Sequence, residues 1–166
     1  MKQTMLKKVL VFIFIMVLAA FTLVGCSDNE DLQGSVFNSN ISLVKDGHPE
    51  LIPYITYKDA YENFFSDPQW RGFESDTGSD IVEFSGGCTY QDEDATVYIQ
   101  FTIEDDESFY MNYASLKVDG EEIDIDDEIL FELLFNPFNQ YSIDEYGTEL
   151  SDDIYYSFLE SFLYFE

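Results

Sequence analysis

Apolar and polar residues alternate along the middle of the chain, which is the pattern of strands with one buried face. The alternation is clearest over residues 95–103, and weaker alternations cover residues 69–75, 80–90 and 108–118. Short polar turns separate these segments. Strands joined by such short turns run antiparallel, so the pattern predicts a four-stranded antiparallel meander. In the clearest strand the residues predicted to face inward are Val97, Ile99, Phe101 and Ile103.

Apolar residues at helical spacing flank the predicted strands on both sides. Before the strands, an apolar stripe follows Thr56, a good N-capping residue. The stripe consists of Tyr57, Ala60, Tyr61, Phe64 and Phe65. After the strands, helices are predicted at residues 128–135, ending before Pro137, and at residues 152–164. We therefore predict one two-layer α+β domain over residues 43–166, with an N-terminal helix, the meander and one or two C-terminal helices.

Two of the predicted strands contain features that interrupt regular pairing. Gly86-Gly87 lies inside the second strand and indicates a β-bulge or a close approach of another part of the chain. In the fourth strand the apolar register shifts near Ala114-Ser115. Tyr113 is therefore expected on the inner face before the shift, and Leu116 after it.

The first 26 residues have the composition of an export signal. Three lysines and no acidic residue precede an apolar run over residues 9–24. The run ends in Leu23-Val24-Gly25-Cys26, which resembles the lipobox of bacterial lipoproteins. That resemblance implies cleavage between Gly25 and Cys26 and a diacylglyceryl thioether on Cys26. The alternative is an uncleaved transmembrane anchor, because the run is close to the ~17 to 20 residues that a span needs.

Either interpretation places the rest of the chain on the extracytoplasmic face of the cell membrane. Residues 1–25 are predicted to be a lipoprotein signal peptide. Residues 26–42 are rich in Ser, Asn, Asp and Gly and are predicted to form a lipid-anchored flexible tether to the domain.

The net charge limits the classes of partner that the chain can bind. All 34 acidic residues follow Cys26, where only Lys45, Lys58, Arg71 and Lys117 oppose them, so this part carries a net charge of −30. Nucleic acid is excluded as a partner, because binding to phosphates needs a basic surface. This negative charge could attract cations or basic peptides. The alternative is that it serves only to keep the protein soluble.

The sequence offers few residues for catalysis. Cys88 has no second cysteine to pair with once Cys26 carries lipid, and we interpret it as a small buried residue. His48 is the only histidine and lies in a polar loop beside Pro49. Nucleophile-elbow, zinc, phosphate-loop and dinucleotide motifs are missing from the sequence. We therefore predict that the protein is not an enzyme and needs no cofactor, calcium being the one open candidate.

Calcium could be held by acidic clusters, because it prefers carboxylate oxygens. The candidate ligands are Asp92, Glu93, Asp94, Asp105 and Asp106. The two clusters flank the third predicted strand and so lie at its opposite ends, where they cannot form one site. None of the clusters matches the Asp-x-Asp-x-Asp-Gly pattern of a calcium loop, so solvated turns explain them better.

A polar and aromatic sheet face is the other candidate site. Tyr98, Gln100, Tyr110 and Asn112 point away from the predicted core and could bind an envelope protein or a glycan. The alternative is that the C-terminal helices cover this face.

Residues 44–135 resemble an uncharacterised domain of surface proteins and lipoproteins of Gram-positive bacteria. The likeness lies in residues 57–70, 82–90, 99–103 and 116–120. It implies an accessory, membrane-tethered domain and no known activity. The sequence thus predicts a non-catalytic lipoprotein with a binding or accessory domain on the outer side of the cell membrane. The alternative is a divalent-cation-binding or envelope-stress module that uses its acidic surface.

Overall fold

The computed structural model describes residues 30–124 and 126–163, and side chains from residue 34 to residue 160 within them. The helices are α1 (Glu30–Asp46), α2 (Tyr57–Phe64), α3 (Asp127–Tyr146) and α4 (Asp152–Leu163). The strands are β1 (Ser66–Glu74), β2 (Asp80–Tyr90), β3 (Glu93–Ile103), β4 (Phe109–Val118) and β5 (Glu121–Ile123). The predicted α+β fold, with its antiparallel meander and C-terminal helices, is confirmed.

The strands form one antiparallel sheet in the order β1-β2-β3-β4-β5. Its fifth strand was not predicted, because three residues are too few to show an alternating pattern. Asp119 and Gly120 connect it to β4 with φ angles of 51° and 81°. Positive φ at both central residues is what a tight two-residue hairpin turn requires.

The core lies on one face of the sheet, here called the inner face. Val82, Phe84, Val97, Ile99, Phe101 and Leu116 are all completely buried there. The described helices add fully or almost fully buried side chains to the same cluster, including Val44, Tyr61, Phe131, Leu134 and Phe138. The predicted two-layer arrangement therefore follows from helices that bury their apolar stripes against one sheet face. The described residues from 34 onward form one compact unit that contains this core.

Helix α2 begins and ends where the sequence predicts. The Thr56 side chain accepts a hydrogen bond from the backbone N–H of Asp59 at 3.0 Å, as an N-cap does. The chain then passes directly into β1 through Phe65. Next to this junction, a Cβ atom at Gly86 would lie 2.5 Å from Cβ of Phe65. The close approach predicted at Gly86-Gly87 is thus the packing of β2 against the end of α2.

The predicted flexible tether is wrong over residues 30–42, which belong to α1. Ile41 packs on the core, and Asn40 Nδ2 donates a hydrogen bond to Asp80 Oδ2 at 3.0 Å. Phe37 lies so close to Gly72 that a Cβ atom there would sit 2.9 Å from it. The polar composition hid a helical stripe formed by Phe37, Ile41 and Val44.

Lys45, near the end of α1, connects this helix to the rest of the domain. Its Nζ lies 2.6 Å from Glu62 Oε1 in α2, and the same oxygen accepts a hydrogen bond from Trp70 Nε1 in β1 at 3.1 Å. Together with the contacts of Phe37, Asn40 and Ile41, this shows that the folded domain includes α1 residues before the predicted boundary at residue 43. Cys26 and the cleavage position lie outside the described residues.

Strand β4 contains a bulge at Asn112. Gln100 of β3 pairs with Tyr113, while Phe101 pairs with Met111, which leaves Asn112 without a partner in β3. The predicted shift near Ala114-Ser115 is therefore real but begins two residues earlier. As a consequence Tyr113 lies on the outer face of the sheet, and the prediction of an inward Tyr113 is wrong.

Helix α3 is longer than predicted, because it continues through Pro137 to Tyr146. Phe131, Leu134 and Phe138 are buried on either side of the proline. Their burial outweighs the roughly 3 kcal/mol that an interior proline costs a helix. None of the helices in the described part of the chain is long and apolar enough to cross a membrane.

Candidate binding groove

The register of the sheet places Tyr98, Gln100 and Tyr110 on the outer face, opposite the core. Tyr98 pairs with Ser85 and Ser115, Gln100 pairs with Glu83 and Tyr113, and Tyr110 pairs with Thr102. The described side chains of α3 and α4 pack against the inner-face core instead. The alternative in which the C-terminal helices cover the tyrosine face is therefore wrong for these residues.

The middle of the outer face is occupied by contacts among its own side chains. Arg71 lies 2.9 Å from Glu83 Oε1, and Gln100 Nε2 donates a hydrogen bond to Glu83 Oε2 at 2.7 Å. The Lys117 ammonium lies over the Tyr98 ring, 4.4 Å from its centroid. Polar groups that already satisfy one another gain little from a partner. Tyr98 and Gln100 are thus placed on the predicted face but are engaged within it.

The margin of the sheet at β4 is more open. Tyr110 is 44% exposed and Tyr113 is 40% exposed, and Asn112 is also exposed at the bulge. Tyr113 donates a hydrogen bond from its hydroxyl to Glu122 Oε1 at 2.9 Å, which fixes its ring beside the short β5. The structure therefore separates the predicted site into an engaged pair, Tyr98 and Gln100, and an open pair, Tyr110 and Asn112.

Strand β4 has a free edge along most of its length. β5 pairs only with Leu116, Lys117 and Val118. Within the described residues, no backbone hydrogen bond joins residues 109–115 to a segment other than β3. Seven residues of a strand extend about 24 Å, at roughly 3.4 Å each. An edge of this kind presents unpaired backbone N–H and C=O groups to a partner.

The opposite edge of the sheet is interrupted. Strand β1 carries Pro68, which has no N–H to donate, and its register shifts between Ser66 and Gln69. Asp67, between them, has a φ angle of 47°. Proline and irregular backbone both hinder edge-to-edge pairing. The free segment of β4 also has a bulge, at Asn112, but it contains no proline.

A groove of about 1040 Å³ runs beside the free edge of β4. Residues 48–51 form one wall, and the first half of α3 and residues 157–158 of α4 form another. Its apolar lining includes Leu51, Tyr57, Met111, Leu130 and Phe158. Tyr110 and Asn112 also line it, so the open pair of the predicted face belongs to this groove.

The described groove lining includes three carboxylates and one histidine, His48. Glu50, Glu107 and Asp127 contribute carboxylates, and all three are exposed. Among the residues that the structure describes, the lining contains no lysine or arginine. A partner that enters this groove therefore meets an apolar base with a negative rim. Sequence reasoning missed the groove, because its walls come from segments nearly 110 residues apart.

The two acidic clusters proposed to bind calcium lie at opposite ends of β3. Asp92 is in the β2–β3 turn, with Glu93 and Asp94 at the start of β3, and Asp105 and Asp106 follow the end of that strand. Across the described part of the chain, no group of three or more His, Cys, Asp or Glu side chains is arranged to hold a metal ion.

Asp106 has a local role. Its Oδ1 accepts a hydrogen bond from the Ser108 backbone N–H at 3.0 Å, and hydrogen bonding from Ser108 lowers the pKa of this carboxyl below its ordinary value. This contact shapes the turn that leads into β4.

Cys88 and His48 lie in different elements of the fold. Cys88 is half-buried near the end of β2, where burial raises the pKa of its thiol. A raised pKa reduces the fraction of reactive thiolate. His48 is exposed in the loop between α1 and α2, with Nδ1 3.2 Å from the Pro49 carbonyl oxygen.

Protein-family models, curated proteins and solved structures were compared with this chain, and none of the three comparisons gives a match. The resemblance of residues 44–135 to a domain of Gram-positive surface proteins therefore stays a prediction.

Proposed function

We propose that this protein is a lipoprotein that holds a non-catalytic binding domain on the outer side of the cell membrane. A diacylglyceryl group on Cys26 supplies the anchor, and the domain acts by contact with an envelope component. The observation that carries the binding role is the free edge of β4 beside an apolar groove with an acidic rim. The anchor rests on the likeness of Leu23-Val24-Gly25-Cys26 to a lipobox.

The physical chemistry of the lipid and of the acidic domain agrees with separate roles in anchoring and binding. Each buried CH₂ of a lipid chain contributes about 0.8 kcal/mol, and stable attachment takes more than one chain. The net charge of −30 after Cys26 repels the domain from an anionic lipid surface. The lipid therefore retains the protein while the charge keeps the domain off an anionic membrane surface.

The anchor is tested by labelling cells with a radioactive fatty acid. We expect the full chain to be labelled and to sediment with membranes, and the Cys26→Ala variant to carry no label. Label that persists in Cys26→Ala, or a wild-type protein without label, would contradict the lipid anchor. A wild-type protein that sediments unlabelled with residues 1–25 retained would instead favour the transmembrane alternative.

The binding role is tested in intact cells with a photoreactive amino acid at a single position. We expect irradiation to attach an envelope component to the protein when the probe replaces Asn112 in the groove. The matched control replaces Thr89, which is exposed at the far end of β2. Identical products from both positions, or products from neither, would count against binding through the groove.

A further inference from the structure

We propose that the groove binds an extended, basic peptide segment of a partner protein, which adds to the free edge of β4 as a further strand. This inference rests on the proposed binding function and specifies the chemistry of its partner. It follows from three properties of the same surface: an unpaired strand edge, side chains on both sides of that edge, and a rim of one charge.

The backbone supplies the first part of the fit. On the side opposite β3, no strand among the described residues pairs with residues 109–115. Added strands gain affinity from main-chain hydrogen bonds that do not depend on peptide sequence. The edge is long enough for a peptide of about seven residues at roughly 3.4 Å each. The bulge at Asn112 divides it into two short runs on either side.

Side chains supply the second part. Met111 pairs with Phe101 on the inner side of the sheet and lines the groove, while Tyr110 and Tyr113 stand on the outer side. A strand laid along β4 would place alternate side chains in the groove and against the tyrosines. Cross-strand contacts with aromatic and long side chains stabilise such a pair. The peptide should therefore carry apolar residues at every second position.

The negative charge of the groove is the third property of this surface, and it indicates which kind of partner can bind there. Glu50, Glu107 and Asp127 line the groove, and its described lining contains neither lysine nor arginine. Basic residues on the peptide would be attracted by these carboxylates, and the attraction would speed association and weaken in salt. A second copy of this chain would bring the same acidic rim against itself, so charge disfavours self-association at this edge.

The direct test uses a phage-displayed library of random nonapeptides selected on immobilised residues 27–166. These residues contain the compact unit with its described core. We expect the enriched peptides to be basic, to contain apolar residues at alternate positions and to lack proline in their central residues. No enrichment, or enrichment of acidic or proline-rich peptides, would overturn the inference.

Two matched variants show whether binding uses the groove. The groove variant combines Glu50→Gln, Glu107→Gln and Asp127→Asn. The control variant combines Glu74→Gln, Glu93→Gln and Asp94→Asn, which removes the same charge at exposed positions outside the groove lining. We expect the groove variant to bind the best enriched peptide about fivefold more weakly, because three exposed ion pairs with the peptide are lost. The control variant should lose less than twofold.

Equal loss in the two variants would mean that the peptide responds to net charge alone and would overturn the inference. Dimers of residues 27–166 that dissociate on adding the peptide would identify a second copy as the occupant and overturn it as well. A photoproduct at Asn112 in cells together with failure of the peptide selection would refute strand addition while leaving the proposed binding function intact.

Discussion

Tyr61 shows at the scale of one residue how aromatic packing outweighs a polar cost. Its ring is fully buried and lies 4.9 Å from that of Phe84 and 5.8 Å from that of Phe138, centroid to centroid. Its hydroxyl has no hydrogen-bond partner among the described residues. A buried hydroxyl in that state costs about 1–3 kcal/mol. At residue 61 the aromatic ring therefore stabilises the fold, whereas the hydroxyl destabilises it.

Replacing Tyr61 with phenylalanine should therefore stabilise the domain. We expect Tyr61→Phe to raise the free energy of unfolding by about 1 kcal/mol, because it removes the unpaired hydroxyl and keeps the ring. Urea unfolding followed by fluorescence measures this. Tyr156→Phe, at a side chain that is 61% exposed, is the control and should change nothing. A loss of stability in Tyr61→Phe would show that the hydroxyl has a partner.

Burial of Tyr57 and Tyr61 also predicts how stability depends on pH. Desolvation raises the pKa of both phenols above their ordinary value of 10.0. In the unfolded chain they ionise near that value, whereas the folded domain keeps them neutral. Their contribution is therefore complete below about pH 10 and is lost as the pH rises further. We expect unfolding titrations above pH 10 to show this loss, and a smaller loss in Tyr61→Phe. Stability that is flat up to pH 12 would contradict it.

A substitution at Gly86 tests the contact between β2 and the end of α2. A methyl group at Gly86 would meet Cβ of Phe65 at 2.5 Å, where neither backbone can yield easily. We expect Gly86→Ala to lower the unfolding free energy by about 2 kcal/mol, as overpacking does. Gly34→Ala, where nothing lies within 4 Å, should leave it unchanged or raise it. Equal effects would show that the close approach is absent.

At the scale of elements, regular periodicity made the fold predictable. Strands β2 and β3 and helix α2 were predicted almost to the residue, because a single buried face imposes a strict period. Helix α1 was missed because its polar composition concealed three apolar positions. Helix α3 was predicted too short because tertiary burial overrides the local effect of Pro137.

The candidate site was predictable only in part, for a related reason. Alternation along β3 and β4 put Tyr98, Gln100 and Tyr110 on the outer face correctly. It could not show that the first two are engaged with neighbours, or that the shortness of β5 leaves an edge open. Those properties depend on contacts between distant segments, which local pattern does not encode.

Proline substitution distinguishes a helix from a flexible tether at α1. Ser39 is exposed in the interior of this helix. We expect Ser39→Pro to lower the free energy of unfolding by up to about 3 kcal/mol, because it removes a helical hydrogen bond and clashes with the preceding turn. Ser39→Ala is the control and should cost nothing. A Ser39→Pro variant as stable as the control would restore the tether interpretation.

At the scale of the whole molecule, stability should depend strongly on salt. A net charge of −30 after Cys26 destabilises the compact state through repulsion, which added ions screen. We expect the melting temperature of residues 27–166 to rise by several degrees between about 10 mM and 0.5 M sodium chloride. A melting temperature independent of salt would contradict this.

Calcium should raise the melting temperature only as much as sodium chloride of the same ionic strength does. Asp92, Glu93 and Asp94 lie at one end of β3, and Asp105 and Asp106 lie at the other. We therefore expect millimolar calcium to match sodium chloride of equal ionic strength. A further rise of several degrees with calcium would mean specific binding. It would then favour the cation-binding alternative over binding through the groove.

The most direct test of binding through the β4 edge is an amide chemical-shift titration of ¹⁵N-labelled residues 27–166 with the best enriched basic peptide. We predict the largest changes at residues 109–115 and 48–51, with amides of the free β4 edge becoming protected from solvent exchange as they gain hydrogen bonds. Changes centred on β1, or spread evenly over the acidic surface without protection at β4, would contradict the account.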